Sequence, residues 1–297
     1  MSLLLQSLGG LLGLFGMAFT LFSPLPTAFI VLTCGTGHGA AVVTMTTVGL
    51  LFLSGGGVGV AGVYLLQYGI GGLVLGVLLR TRWHWDRAII GTLLVNISCA
   101  ALVLGVVSFN LQSGPLELID TFVQREITTV SAVYETTDLT PEQQRDVAVV
   151  LDSVRNVLQR IFPGLTIAVS GAVLLLTVCG LTLVGGGRYT ITGPAFEQWK
   201  APEPAIWVLI FSGFMSFFLT GAAQSVALNL LTVILPIYFV QGVAIVRCFF
   251  RRRNVPGFIQ GISYVLILFL NPLPLIVTGF GVFDLWADFR KPRNKKD

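Results

Sequence analysis

Two carboxylates one helical turn apart, Asp284 and Asp288, stand in the otherwise apolar run Gly281-Val-Phe-Asp-Leu-Trp-Ala-Asp-Phe-Arg290. At that spacing they share a helix face and could hold a cation, relay a proton or meet a protein partner. They could equally pair with Arg290, Lys291 or a neighbouring basic loop near a helix end, where charged side chains reach water. Buried amides are the second kind of candidate. Gln67 and Asn96 fall near the middle of long apolar runs, and Asn229 lies close to the end of another. An amide in lipid must find a hydrogen-bond partner, either a neighbouring helix or a polar ligand held in an inner cavity. The two histidines lie outside any triad-like pattern: His38 sits at the break Gly35-Thr-Gly-His-Gly39, and His84 sits between Trp83 and Trp85. His38 reads as the cap of a helix break or as a group titrating near neutrality, and His84 as an interfacial anchor.

No HExxH, GxSxG or phosphate-cradling loop occurs, so the residues predict a protein that is not an enzyme and that carries no cofactor or metal. Cys34, Cys99, Cys179 and Cys248 are single and far apart, which suits packing rather than a CxxC site.

The elements that must position these side chains are membrane helices. Hydrophobic residues make up 54% of the 297 and charged residues 11%, with a mean hydropathy of +0.85, far outside soluble composition. A span needs about 20 apolar residues. Such runs occur at Leu3–Phe22, Val58–Leu79, Ala88–Phe109, Phe162–Val184 and Val226–Val246, and a shorter one at Ala205–Leu219. Thr27–Leu53 is interrupted at its glycines, so the sequence leaves open whether it crosses once or twice and hence on which side the N-terminus lies. The stretch after Pro256 is broken at Asn271-Pro-Leu-Pro274, which predicts a pair of short helices. Met1 to Gln6 contain no base, and no small-residue cleavage site follows, so the first helix is expected to stay attached.

The expected fold is therefore an all-α, polytopic transmembrane helical bundle of about eight to ten membrane segments with an extracytoplasmic amphipathic helical hairpin. The expected division is an N-terminal transmembrane block over 1–110, the hairpin over 111–160, a C-terminal transmembrane block over 161–290 and a basic tail over 291–297. In the hairpin, Thr140-Pro-Glu-Gln143 is a helix start, with Thr at the N-cap and Pro at the first helical position. Val147, Val150, Leu151, Val154, Leu158 and Ile161 form one apolar stripe, and Ile119, Phe122, Val123, Ile127, Val130 and Tyr134 form another. Basic loops at Arg80–Arg87, Arg188 to Lys200 and Arg247–Arg253, with the tail after Phe289, mark the cytoplasmic side. The net charge of +4 thus describes topology and does not predict a nucleic-acid partner. All five tryptophans fall at that side, as an aromatic belt would have it.

Several of these stretches together resemble the YybS-like predicted bacterial membrane proteins, a family built on a domain of unknown function. They are Pro24-Leu-Pro26 followed by Gly37-His-Gly39, Trp199-Lys-Ala-Pro-Glu-Pro-Ala-Ile-Trp207, Gln241-Gly-Val-Ala-Ile-Val-Arg247 and the ending Gly281–Arg290. That family is distantly similar to the substrate-binding membrane components of energy-coupling-factor vitamin transporters, whose first helix carries Ala-x-x-x-Ala where this chain has Gly9-x-x-x-Gly13. The resemblance implies a bacterial inner-membrane protein that binds or transports a small solute with a coupling protein and separate ATPases. The resemblance assigns no ligand residue; from the residues themselves, Gln67, Asn96 and Asn229 are the candidate ligand contacts, and the hairpin is expected to close as a lid over a cavity bordered by the two Pro-Leu-Pro turns. The alternative is a membrane scaffold or regulator whose outer hairpin binds an envelope protein. Beyond these, the expected partner is the lipid bilayer.

Overall fold

The computed structural model describes residues 20–135 and 141–290. Its helices are α1 (Pro24–Cys34), α2 (Thr36–Leu53), α3 (Val58–Val63), α4 (Ile70–Arg80), α5 (Trp85–Leu111), α6 (Pro115–Glu135), α7 (Pro141–Val184), α8 (Ala205–Phe218), α9 (Gly221–Arg252), α10 (Gly257–Phe269) and α11 (Leu273–Ala287). A π-helical segment, Tyr64–Gly69, joins α3 to α4, so that Gly59–Arg80 runs as one membrane-length helix. Strands are absent among the described residues, and the architecture is the all-α membrane bundle that composition predicts. Among the described residues five helices are long and apolar enough to cross a bilayer, or six if α10 and α11, bent by 99° at their break, count as one span; the predicted span Leu3–Phe22 lies almost wholly outside them. α1 and α8 are shorter apolar helices.

Both Pro-Leu-Pro motifs begin a helix. Pro24 opens α1 and Pro274 lies in the first turn of α11, where the missing N–H removes a donor the helix would not have used. α1 ends at Gly35, whose φ of +105° would strain any side chain and whose N–H donates to the carbonyls of Ile30 and Val31. His38 Nδ1 lies 3.0 Å from the Cys34 carbonyl at this break.

The chain forms two compact units. The first comprises 1–120 and 169–193. Here α1 packs on α2 and α4, and α4 on α5. Gly72 and Gly76, one turn apart on α4, let α1 approach so closely that a Cβ would come within 2.7 Å of the Pro24 carbonyl oxygen and of Val31 respectively. Leu50, Ala61, Tyr64, Tyr68 and Val173 form a buried cluster. At one end, the loop before α5 is tied to the segment after α7. The Trp85 N–H donates to the Thr192 carbonyl at 2.9 Å, and the Thr192 hydroxyl donates to the carbonyls of Arg82 and Trp83.

The second unit comprises 121–168 and 194–297. α9 is its centre, with α8, α11 and the short 3-10 turn Phe196–Gln198 packed against it. α9 and α11 meet backbone to backbone: a Cβ on Gly281 would collide with the Tyr238 carbonyl, and one on Gly242 with the Val277 carbonyl. Ile206, Ile234 and Tyr238 fill the α8–α9 contact.

One boundary expected in the hairpin region is absent. The second hairpin helix and the following span, predicted as separate segments meeting near Arg160, are one helix of 44 residues, α7, with Pro163 inside it. At 1.5 Å per residue it is about 66 Å long, twice the thickness of a bilayer core. It starts at Pro141, the first helical position of the predicted start signal; Thr140 and the turn 136–140 lie outside the described residues. Of the predicted stripe, Val147, Leu151, Leu158 and Ile161 are half-buried, whereas Val150 and Val154 are exposed. On α6, Val123 is buried and the Phe122 ring lies 5.7 Å from that of Phe162.

Candidate functional site

The paired carboxylates stand in ion pairs within the second unit. Asp284 is wholly buried on α11, and its carboxylate meets the Arg290 guanidinium at 3.1 Å. It also accepts from Gln241 Nε2 at 3.3 Å and from the Phe289 N–H at 3.1 Å. Arg290 in turn donates to the carbonyls of Glu197 (3.0 Å) and Trp199 (2.7 Å), and Gln241 Oε1 accepts the Ala201 N–H at 2.9 Å. The buried Glu197 carboxylate pairs with Arg251 and, at 3.6 Å, with Arg247. Asp288 pairs with Lys200 at 3.2 Å. The arrangement ties the loop around the 3-10 turn to α9 and α11. Because a buried charge is tolerable only when compensated, each acid here has its base, and the network offers no excess negative charge to a cation.

Asn229, a candidate ligand group by sequence, is committed to backbone repair. In an unbroken helix the Gly164 N–H would donate to the Arg160 carbonyl; here the Asn229 side chain stands between them. Its Oδ1 accepts from the Gly164 N–H at 2.6 Å, and its Nδ2 donates to the Arg160 carbonyl at 2.6 Å and to the Ser225 carbonyl at 2.7 Å. The insertion lies beside Pro163, which has no N–H to continue the ladder. With both amide donors occupied, Asn229 has none left for a ligand.

The first unit presents the opposite case. Asn96 on α5 is 8% exposed, and neither its Oδ1 nor its Nδ2 has a hydrogen-bond partner among the described residues. The hydroxyls of Thr27 on α1 and Tyr64 at the start of the π segment, both on wholly buried residues, are also without one. They approach the turn Gly69–Gly72 from different sides. Built Cβ positions on Gly69, Gly71 and Gly72 lie 3.5 Å from the Tyr64 ring, 3.1 Å from Asn96 Nδ2 and 3.1 Å from Thr27 Cβ. Gln67 is half-buried within the same π segment. Sequence reading finds Asn96 and Gln67 but misses Thr27 and Tyr64. A threonine in a membrane helix ordinarily bonds back to its own turn, as Thr92 does to the Ala88 carbonyl and Thr177 to the Val173 carbonyl. Nothing in the sequence sets Thr27 apart from them. An unmet buried polar group costs about 1–3 kcal/mol, and a π segment is an insertion that recurs at functional sites.

Among the described residues no group of three or more His, Cys, Asp and Glu side chains is placed to hold a metal. A family model described as a predicted membrane protein (DUF2232) matches residues 1–285. No curated protein and no solved structure matches the chain.

Proposed function

Since this chain belongs to the DUF2232 family of predicted membrane proteins, we propose that it binds a small polar solute inside the bilayer and takes part in moving it across. The observation that carries this reading is the Asn96 amide, buried among apolar helices with neither polar atom partnered among the described residues. Lipid cannot satisfy such a group, and a chain selected only for stability would replace it with leucine. The chain acts in the manner of a transporter's substrate-binding component, in a bacterial inner membrane, with energy supplied by a separate coupling protein and ATPase. The ends bearing Arg80–Arg87 and Arg247–Arg253 face the cytoplasm. A thermal-shift screen of metabolites on purified protein tests it: at least one solute should raise the melting temperature of the wild type and leave Asn96→Leu unmoved. A screen that finds solutes stabilising both proteins equally removes Asn96 from the site.

A second reading, a scaffold that binds an envelope protein through α6 and the first part of α7, is favoured by the exposure of Val149, Val150, Val154 and Val157 on an otherwise polar stretch. Replacing 112–160 with a Gly/Ser linker should then abolish copurification of that protein.

A further inference from the structure

We infer that one end of the first unit is a binding site for an anionic phospholipid, whose phosphate is held by Arg80, Arg82, Arg87 and Arg188 and whose acyl chain lies along α5. The inference goes beyond the solute-binding reading and does not depend on it.

The four arginines stand at one end because the loops that carry them are tied together. Arg82 donates to the Thr190 hydroxyl at 3.4 Å, two residues from Arg188, and the Trp85 N–H, two residues from Arg87, donates to the Thr192 carbonyl. α1 ends at the same place. The Val31 carbonyl accepts from Arg80 at 3.1 Å, and the Phe29 ring centre lies 6.0 Å from that of Tyr189, the neighbour of Arg188. All four arginines are exposed, and none forms an ion pair among the described residues. The first unit has the acids Asp86, Glu117 and Asp120, and the last two lie beyond the far end of α5. Four positive charges therefore share one carboxylate, and Asp86 Oδ1 already accepts the Arg87 N–H at 2.9 Å. The second unit is balanced by contrast, since Glu197, Asp284 and Asp288 each have a base.

The chemistry and position of this end select its ligand. Every base is arginine, whose planar fork matches two phosphate oxygens where lysine offers only a point charge. The arginines are held at headgroup level, because only residues 81–84 separate the membrane-length helices Gly59–Arg80 and Trp85–Leu111. Trp83 is exposed and its ring lies against α5, 3.6 Å from a Cβ built on Gly91, the placement of an interfacial tryptophan. From Arg87 the same face of α5 continues through Ile90, Leu94 and Ile97, at steps of three, four and three, and all three are exposed. A phosphate at the arginines thus has an apolar stripe leading from it into the bilayer. A soluble phosphate compound would use the arginines and leave that stripe bare; a phospholipid uses both.

The test is native mass spectrometry of the full-length protein in detergent, stripped of lipid and then given dioleoylphosphatidylglycerol, dioleoylphosphatidylcholine or glycerol 3-phosphate. Phosphatidylglycerol should bind. The other two should bind far more weakly, phosphatidylcholine for want of net charge and glycerol 3-phosphate for want of a chain. Arg87→Gln combined with Arg188→Gln should weaken phosphatidylglycerol binding about thirtyfold. Removing the same charge from the second unit, by Arg252→Gln with Arg253→Gln, should change it by no more than about twofold. Should the first pair fail to fold, Arg87→Lys with Arg188→Lys keeps the charge and removes the fork, and should still weaken binding several-fold. The inference is overturned if phosphatidylglycerol does not bind, or if phosphatidylcholine binds as tightly. It is overturned also if glycerol 3-phosphate matches the lipid, which would make this a site for soluble phosphates. Equal effects of the two Arg→Gln pairs, or a lysine pair that binds like the wild type, sink it as well.

Discussion

A membrane helix that meets a proline loses a donor, and at Pro163 the amide of Asn229 rebuilds the ladder by bridging the Gly164 N–H and the Arg160 carbonyl. Removing that amide leaves two backbone groups to find new partners, at about 1–3 kcal/mol for each that fails. Asn229→Leu should therefore lower the melting temperature of the detergent-solubilised protein, read by circular dichroism. In a Pro163→Ala background the same substitution should cost less, because the helix can then close its own hydrogen bonds. Equal losses in both backgrounds would show that the amide does not serve the proline. Asn96 is the same side chain in the same solvent with no such duty among the described residues, and the two cannot be told apart from sequence. Each is an isolated amide in an apolar run; only the helix packed against it decides whether it is satisfied.

Close helix packing shows the same limit on what local sequence reveals. Gly279 and Gly281 are two residues apart on α11, but a Cβ on Gly279 meets nothing within 4 Å whereas one on Gly281 strikes the Tyr238 carbonyl. A backbone carbonyl cannot rotate aside, so Gly281→Ala must push α9 and α11 apart; overpacking of this kind costs about 1–3 kcal/mol. Gly281→Ala should lower the melting temperature clearly and Gly279→Ala should leave it nearly unchanged. If both are tolerated, the two helices do not meet where these glycines place them. The helices themselves were legible, because apolar runs and prolines mark them one at a time. The joining of two predicted segments into α7 was not, since Pro163 argues locally for a break and the repair comes from Asn229.

For the molecule as a whole, the distribution of bases predicts sidedness. Single cysteines introduced at Thr137 and at Asn294, in a background without the native ones, should react with a membrane-impermeant thiol reagent from opposite sides, Thr137 from outside. Labelling of both from one side would overturn the topology built on Arg80–Arg87 and Arg247–Arg253. On the solute-binding proposal, the sidedness sets which face of the membrane the proposed site would open to.

Composition, apolar run length and the placement of Pro and Gly were enough to determine an all-helical membrane protein and, among the described residues and apart from the joint inside α7, the approximate bounds of its helices, because each depends on neighbours along the chain. The tertiary structure alone decided which polar side chains are satisfied. Asn229 finds its backbone partner 69 residues away, Gln241 finds Asp284 43 residues on, and Arg290 reaches Trp199 across 91. Thr27, Tyr64 and Asn96 find none among the described residues. Hydrogen bonding in lipid must be closed by whichever group is near in space, and nearness between helices is set by packing that no local pattern records.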